Sequence, residues 1–226
     1  MKISIIGAGK VGSSIAFSLL SEIKPNELVL TDIVELLLIA EELDLGHAAI
    51  TLSPETQVKC STDISETKDS DFIIITAGKA KTTEKTRADL AKTNQSIIES
   101  ICKQVSEVAP DAQIIIVTNP STQIADIARN ACSNKVIAMD NQLDTSRLKY
   151  NIRLETGKNL DEIQSHVFGE HDDNMQFEIK DELTAEQLER VKHNTTHASK
   201  PMLAGKGYTN WGIAAQVTKL ISELRD

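Results

Sequence analysis

The stretch Gly7-Ala8-Gly9-Lys10-Val11-Gly12 follows a short apolar run at residues 3–6 and opens a segment with helical periodicity over residues 10–21. Glycine at its first position permits a tight turn, at the second it allows close approach to the backbone, and at the third it lets a helix pack against a strand. The N-terminus of a helix presents N–H groups to anions. We therefore predict a strand, an anion-binding turn and a helix.

Asp32 lies at the end of the next β-branched run, twenty residues after Gly12. A carboxylate at this place accepts hydrogen bonds from ribose hydroxyls and repels a 2′-phosphate, so the two motifs together predict a dinucleotide site that takes NAD. A P-loop would need lysine at the position of Ser13. The alternative for Asp32 is a helix cap, since a helix is predicted to begin near Val34.

Short β-branched runs alternate with helical segments along the first 140 residues. This alternation predicts an α/β fold, a doubly wound parallel sheet of the Rossmann type over residues 1–140. The pattern then changes, and we expect a smaller, truncated α+β substrate domain over residues 141–226. Within it we predict a capping box at Thr184-Ala185-Glu186-Gln187, a loop over residues 194–207 and a helix over residues 208–225.

Composition narrows the classes of partner. The net charge is −9 and aromatic residues make up 3%, which argues against nucleic-acid binding. Apolar runs such as Phe72-Ile73-Ile74-Ile75 are too short to cross a membrane, and we expect no membrane partner. Three cysteines without paired spacing indicate reduced thiols, so we expect a cytoplasmic protein.

Four later residues supply what hydride transfer to a 2-keto acid requires. Asp144 and Arg147 are three apart in a predicted helix and therefore share a face. His171 is suited to donate and accept a proton near neutral pH, and Asp144 could fix its tautomer. Arg147 offers a planar fork for a substrate carboxylate. Arg87, which follows a lysine-rich lid loop at residues 79–85, could polarise the substrate carbonyl.

These residues resemble the NAD-dependent lactate/malate dehydrogenases, with most similarity to the archaeal malate enzymes. The resemblance spans nearly the whole chain and rests on the glycine stretch and Asp32, followed by Asp44-Leu45-Gly46-His47-Ala48, Thr76-Ala77-Gly78, Thr86-Arg87, Asn94, Thr118-Asn119-Pro120, Asn141-Gln142-Leu143-Asp144-Thr145-Ser146-Arg147, Gly169-Glu170-His171 and Lys206-Gly207-Tyr208-Thr209.

The resemblance implies specific roles. His171, Asp144 and Arg87 would be catalytic, and the substrate acid would be held by Arg147, Asn119, Lys81 and Thr209. It implies that NAD is bound by Gly7, Gly9, Lys10, Val11, Gly12, Asp32, Thr76, Ala77, Gly78, Asn94, Thr118 and Ile213. It also implies a homo-oligomer, dimer or tetramer, with the helix at residues 36–49 facing the partner subunit.

Substrate choice depends on Lys81, at a lid position where malate enzymes carry arginine and lactate enzymes glutamine. A cation there favours malate/oxaloacetate, whereas Tyr208-Thr209-Asn210-Trp211 is more similar to lactate enzymes, so lactate/pyruvate is an alternative. Asp172-Asp173-Asn174 replaces the family's Gly-Asp-Ser. The family pattern continues into further strands and a helix after the point that corresponds to Asp226. A catalytically impaired NAD-binding protein is therefore a second alternative.

A metal-dependent hydrolase is the third alternative. His193 and His197 are four apart, which lets two imidazoles share a helical face. His166, His171 or Asp173 would supply further ligands. No glutamate follows His193, so the zinc-protease signature is absent from the sequence, and we predict no metal site.

Overall fold

The computed structural model of the protein describes residues 1–79, 87–139, 141–169 and 175–225. They form two compact units: the first combines Met1–Met139 with Ile213–Asp226, and the second is Asp140–Gly212. Residues 213–226 thus group with the first unit, whereas the division into 1–140 and 141–226 assigned them to the second. As a division into functional domains, that assignment stays a prediction.

Strands and helices alternate through the first unit, and the second unit is mostly helical. The strands are β1 (Lys2–Ile6), β2 (Glu27–Thr31), β3 (Gln57–Ser61), β4 (Phe72–Ile75), β5 (Gln113–Ile116), β6 (Val136–Ala138), β7 (His166–Phe168) and β8 (Gln176–Glu178). The α-helices are α1 (Lys10–Glu22), α2 (Glu35–Leu52), α3 (Arg87–Val108), α4 (Ser121–Ala131), α5 (Gln142–Thr156), α6 (Ala185–Thr196), α7 (Ser199–Lys206) and α8 (Trp211–Leu224).

The first unit is built on a parallel sheet with strand order β3-β2-β1-β4-β5-β6. This order confirms the predicted doubly wound fold, because the chain crosses from one edge of the sheet to the other half between β3 and β4, and the strand order therefore reverses between the neighbouring strands β1 and β4. Ligands of such sheets bind beyond the carboxyl ends of the strands at that reversal.

Both faces of the sheet are covered, as the unbroken apolar strands require. In β4, Ile74 packs on one side with residues of α1, α2 and α8, while Ile73 and Ile75 pack on the other side with residues of α3 and α4. All three isoleucines are fully buried. In the described part of the chain, no helix combines the length and the apolar character needed to cross a membrane.

The second unit has its own small core, in which Leu148 and Ile152 of α5 pack against Val167 of β7 and Val191 of α6. Strands β7 and β8 form an antiparallel pair. The predicted capping box is confirmed, because Thr184 and Gln187 each accept a hydrogen bond from the other's backbone N–H.

The predicted loop over residues 194–207 is wrong. Helix α6 continues to Thr196 and α7 occupies most of the remaining stretch. Pro201, Gly205 and Gly207 look like helix breakers in the sequence. In the structure Pro201 lies in the first turn of α7, where proline is tolerated, and Gly207 ends the helix in the left-handed region with φ 80°.

Candidate functional site

The glycine turn joins the end of β1 to the start of α1, and two of its glycines are required by geometry. Gly7 has φ +109°, and a Cβ there would lie 2.6 Å from the Ala77 backbone nitrogen. A Cβ on Gly12 would lie 1.9 Å from the carbonyl oxygen of Gly7. A Cβ on Gly9 would meet no atom within 4 Å, so the backbone there is open to an incoming group.

This turn fits the pyrophosphate of a dinucleotide. Gly9 is the N-cap of α1 and has no side chain to cover the helix end, and no acidic residue lies in the first turn. An anion would therefore meet the positive end of the helix dipole without competition from a carboxylate of that turn.

Asp32 is half-buried beside the glycine turn. Its Oδ2 accepts a hydrogen bond from the Ala8 N–H at 2.8 Å, and its Oδ1 accepts one from the Val34 N–H at 3.1 Å. The capping alternative is not realised, because the N-cap residue of α2 is Val34 and no side chain caps the helix; Asp32 lies two residues before the N-cap and, at this helix end, accepts only the Val34 N–H. Each carboxylate oxygen can accept two hydrogen bonds, so this geometry still fits two ribose hydroxyls.

The ends of β4 and β5 are tied together next to this turn. Thr76 Oγ1 donates to the Gly7 carbonyl at 2.8 Å, and Thr118 Oγ1 donates to the Ala77 carbonyl at 2.8 Å. A Cβ on Gly78 would lie 2.7 Å from Thr118 Cγ2, so the backbone passes close to that side chain. These predicted cofactor residues therefore form one connected wall.

Asn94 is almost fully buried on α3 and bonds to the chain itself. Its Oδ1 accepts from the Lys79 N–H at 2.8 Å, and its Nδ2 donates to the Asn119 carbonyl at 3.2 Å. The amide thus braces the two loops that follow β4 and β5. Asn119 itself is exposed and precedes α4 through a cis peptide bond to Pro120.

Asp144 and Arg147 lie on one face of α5, as their spacing predicts, and the structure pairs them with each other, which the sequence analysis did not predict. Arg147 Nη1 lies 2.9 Å from Asp144 Oδ1, and the side chains are 13% and 2% exposed. A buried carboxylate of this kind fixes the guanidinium and needs its charge, because an uncompensated buried charge costs about 3–5 kcal/mol. Arg147 also lines a cavity of ≈ 500 Å³ together with residues of α5, α6 and α7.

Two residues at the start of α5, its N-cap Asn141 and Thr145 in its first turn, hold the end of β7, and sequence reasoning gave them no role. Asn141 Nδ2 donates to the Gly169 carbonyl, and Thr145 Oγ1 accepts from the Val167 N–H at 3.0 Å. They flank Asp144 in the sequence and bind the strand that leads to His171. In the sequence both belong to the family motif at residues 141–147, from which only Asp144 and Arg147 were given roles.

The loop between α7 and α8 carries Thr209, which is half-buried. Its neighbours Tyr208 and Asn210 both contact Lys206, the last residue of α7. Ile213 lies in the first turn of α8 and packs, partly buried, against the core of the first unit.

Several of the predicted site residues lie outside the residues that the structure describes. Lys81 and His171 lie outside the described residues, and so does Asp173 among the proposed metal ligands. Arg87 is the first residue of α3, as predicted.

Among the residues that are described, no group of three His, Cys, Asp or Glu side chains could hold a metal ion. The His193 and His197 rings stack at 4.4 Å, and His166 pairs with Glu178 at 2.6 Å.

The three cysteines are free. Burial raises the pKa of Cys60 to about 12, and the nearby Glu42 and Glu41 add to this shift. Burial likewise raises the pKa of Cys102 to about 12, helped by the neighbouring Cys132. Thiols that stay protonated at neutral pH are poor nucleophiles, so Cys60 and Cys102 have the character of packing residues.

Comparison with known proteins identifies a family. Residues 1–141 match the model of the lactate/malate dehydrogenase NAD-binding domain. A malate dehydrogenase of Archaeoglobus fulgidus is 34% identical over 98% of this chain and 76% of its own length. L-lactate dehydrogenase 2 of Lactobacillus johnsonii is 34% identical over 97% of this chain and 75% of its own length.

A solved structure gives the same result. The Archaeoglobus fulgidus malate dehydrogenase in complex with NADH superposes with a TM-score of 0.88 at 32% identity. The match covers 98% of this chain and 76% of the other. The predicted resemblance is therefore confirmed.

Proposed function

This chain belongs to the lactate/malate dehydrogenase family, and we propose that it transfers a hydride between NAD and a small 2-hydroxy acid, with malate/oxaloacetate as the preferred pair. The observation that carries the proposal is the Asp144–Arg147 ion pair, with a 2.9 Å contact and a nearly inaccessible carboxylate. A guanidinium held in one orientation is suited to bind a carboxylate through two parallel hydrogen bonds.

The cofactor would be held by the first unit. The backbone from Gly9 to Gly12 would face the pyrophosphate, and Asp32 would accept hydrogen bonds from the adenosine ribose and repel a 2′-phosphate. The wall formed by Thr76, Thr118 and their neighbours would bound the site. When bound, NAD supplies the hydride acceptor, or as NADH the donor, of the reaction.

The second unit would bind the substrate acid and supply the proton for its carbonyl oxygen. Arg147 would bind the carboxylate, and His171 would give the proton that the carbonyl oxygen needs when a 2-keto acid is reduced. Gly169, the last described residue before His171, is bonded to Asn141.

The remaining groups would complete the site. Asp144 would orient the imidazole and stabilise its charged form. Arg87 would polarise the carbonyl as negative charge develops on its oxygen, and Asn119 and Thr209 would add hydrogen bonds to the substrate. These assignments follow the family motifs residue by residue.

The proposed choice of substrate pair depends on Lys81. Lys81 would pair with the second carboxylate of oxaloacetate, which pyruvate lacks. Lactate/pyruvate is the second candidate, and it is favoured by the relative named L-lactate dehydrogenase 2 at 34% identity. The ratio of kcat/KM for the two keto acids decides between them.

A second copy of the chain is the proposed macromolecular partner. The exposed side of α2 carries Leu36, Leu43 and Ile50, which are 80%, 60% and 74% accessible. Their spacing places them on one stripe of the helix, and such a stripe is suited to a subunit interface. We place the protein in the cytoplasm, because its free thiols suit a reducing compartment.

The test is oxidation of NADH by purified protein with oxaloacetate, pyruvate and longer 2-keto acids. We expect turnover that is highest with oxaloacetate and is lost in His171→Asn, while His166→Asn retains it because His166 pairs with Glu178 on β7 and β8. NADH binding without turnover by any acid would leave an NAD-binding protein with impaired catalysis and would refute the proposal.

A further inference from the structure

Lys206 contacts three of the five residues that follow it. Its Nζ donates to Asn210 Oδ1 at 2.5 Å, lies 4.7 Å from the centre of the Tyr208 ring and lies 5.5 Å from the centre of the Trp211 ring. An ammonium group has three donors and is attracted to aromatic faces, so one lysine can hold an amide and two rings together. The contacted residues directly precede and directly follow Thr209 in the sequence.

The segment from Lys206 to Gly212 is also fixed at its two ends. At the first end, Gly207 adopts φ +80° and donates its N–H to the Leu203 carbonyl, which closes α7. At the other end, a Cβ on Gly212 would lie 2.8 Å from Leu143 Cδ1, so the backbone is packed tightly against that side chain. Leu143 precedes Asp144 in α5, and the segment therefore reaches the turn that carries the Asp144–Arg147 pair.

We propose that Lys206 is a positioning residue for Thr209 and, through Thr209, for the substrate acid. This inference rests on the proposed function, in which Thr209 contacts the substrate. Asn210 is only 4% exposed and thus anchors the chain directly after Thr209. Tyr208 anchors it directly before. Lys206 joins both anchors, so its ammonium determines where the backbone of Thr209 lies relative to the start of α5.

Removal of the ammonium would loosen the segment without removing any group that touches the substrate. Lys206→Met keeps a long apolar side chain but has neither charge nor donor. Lys206→Arg keeps a cation over the rings and a donor for Asn210. Lys219→Met is the matched control, because Lys219 is an exposed lysine of α8 with one carboxylate partner, Glu223, at 3.6 Å.

Two independent measurements test this role. Trp211 is the only tryptophan of the chain, so its time-resolved anisotropy reports on this segment without any ligand. In Lys206→Met we expect a larger fast component of the decay and a loss of kcat/KM for the 2-keto acid of about 10- to 100-fold. The Kd of NADH should stay within twofold. Lys206→Arg should recover most of both effects, and Lys219→Met should match the wild type.

The proposal is overturned if Lys206→Met keeps the wild-type anisotropy and the wild-type kcat/KM. It is also overturned if the variant loses NADH affinity and keto-acid turnover in equal measure, because that result reports a general loss of structure. If the wild-type protein turns over no 2-keto acid, the proposed function fails instead. The anisotropy comparison then still decides whether Lys206 holds the segment.

Discussion

The first unit and the second unit present their candidate site residues through different components of the chain. In the first unit the glycine turn works through backbone, since Gly7 and Gly12 are where they are because a Cβ would collide with neighbouring atoms. In the second unit α5 and its N-cap residue work through side chains, since Asp144 holds Arg147 and Asn141 bonds to Gly169 at the end of β7. Binding through the glycine turn is therefore sensitive to any added side-chain atom at Gly7 or Gly12. Binding through Arg147 is instead sensitive to changes in charge and in the geometry of the hydrogen-bond donors.

The largest effect is expected from Gly12→Ala. The new methyl group would overlap the Gly7 carbonyl oxygen at 1.9 Å, so α1 must move away from β1. We expect a loss of about 3 kcal/mol in the free energy of unfolding, measured with urea. The control is Gly46→Ala in α2, where a Cβ meets no atom within 4 Å. That change should stabilise the protein by about 0.5–1 kcal/mol. Equal effects of the two variants would contradict a steric role for Gly12.

Arg147→Lys tests whether the second unit binds the substrate carboxylate through the Arg147 side chain. Lysine keeps the positive charge that the buried Asp144 needs but loses the planar fork, so the protein should fold and bind NADH normally. We expect kcat/KM for 2-keto acids to fall by about 100-fold. Arg153→Lys, on an exposed position of the same helix, should remain within twofold of the wild type. A wild-type value for Arg147→Lys would exclude Arg147 as the carboxylate clamp.

Asp32→Asn tests the side chain that we propose binds the adenosine ribose beside the glycine turn of the first unit. Asparagine keeps an acceptor for the Ala8 or Val34 N–H but removes the charge that favours ribose hydroxyls and repels phosphate. We expect the Kd of NADH to rise about tenfold and the preference for NADH over NADPH to shrink. Titration by fluorescence measures both, and Glu35→Gln in the first turn of α2 is the control. A variant that still rejects NADPH as strongly as the wild type would contradict the assignment.

The smallest expected effect concerns the stability of the second unit in acid. Burial raises the pKa of Asp181, but hydrogen bonds from Ser165 and Lys158 at 2.7 and 2.9 Å outweigh it, and the pKa lies below its usual value. In the unfolded protein the pKa of an aspartate is about 3.9, and in the folded protein the pKa of Asp181 is lower. The charged carboxylate therefore stabilises the folded state fully when the pH is above the unfolded pKa, and this stabilisation is lost as the pH falls through the folded pKa.

Asp181→Asn should therefore be less stable than the wild type at pH 7, and the difference should narrow below about pH 4. Urea midpoints measured across this range report it. Asp161→Asn, at an exposed acid, is the control. A stability difference that is constant from pH 7 to pH 3 would show that the charge of Asp181 contributes nothing.

The same contrast explains what the sequence could predict. The strand runs, the glycine turn and Asp32 are local patterns with steric causes, and the parallel sheet follows from them. The shared face of Asp144 and Arg147 was predictable because helical spacing fixes it, whereas their ion pair with each other was not predicted. Helix α7 was not, since Pro201 and Gly205 resemble breakers until their positions in the helix are known.

Contacts that depend on loop geometry were also beyond the sequence. The contacts of Lys206 arise only when Gly207 turns the chain back on the end of α7. Strand β8 has three residues, Gln176–Glu178, and is polar enough to look like a loop until it pairs with β7.

The most direct test of the central claim follows the transferred atom. NADH that carries deuterium in place of both C4 hydrogens is incubated with the protein and oxaloacetate, and the product is analysed by mass spectrometry. We expect malate that is one mass unit heavier, with the deuterium on C2, and no such product from His171→Asn. Product without deuterium, or no product from any 2-keto acid while NADH still binds, would contradict it.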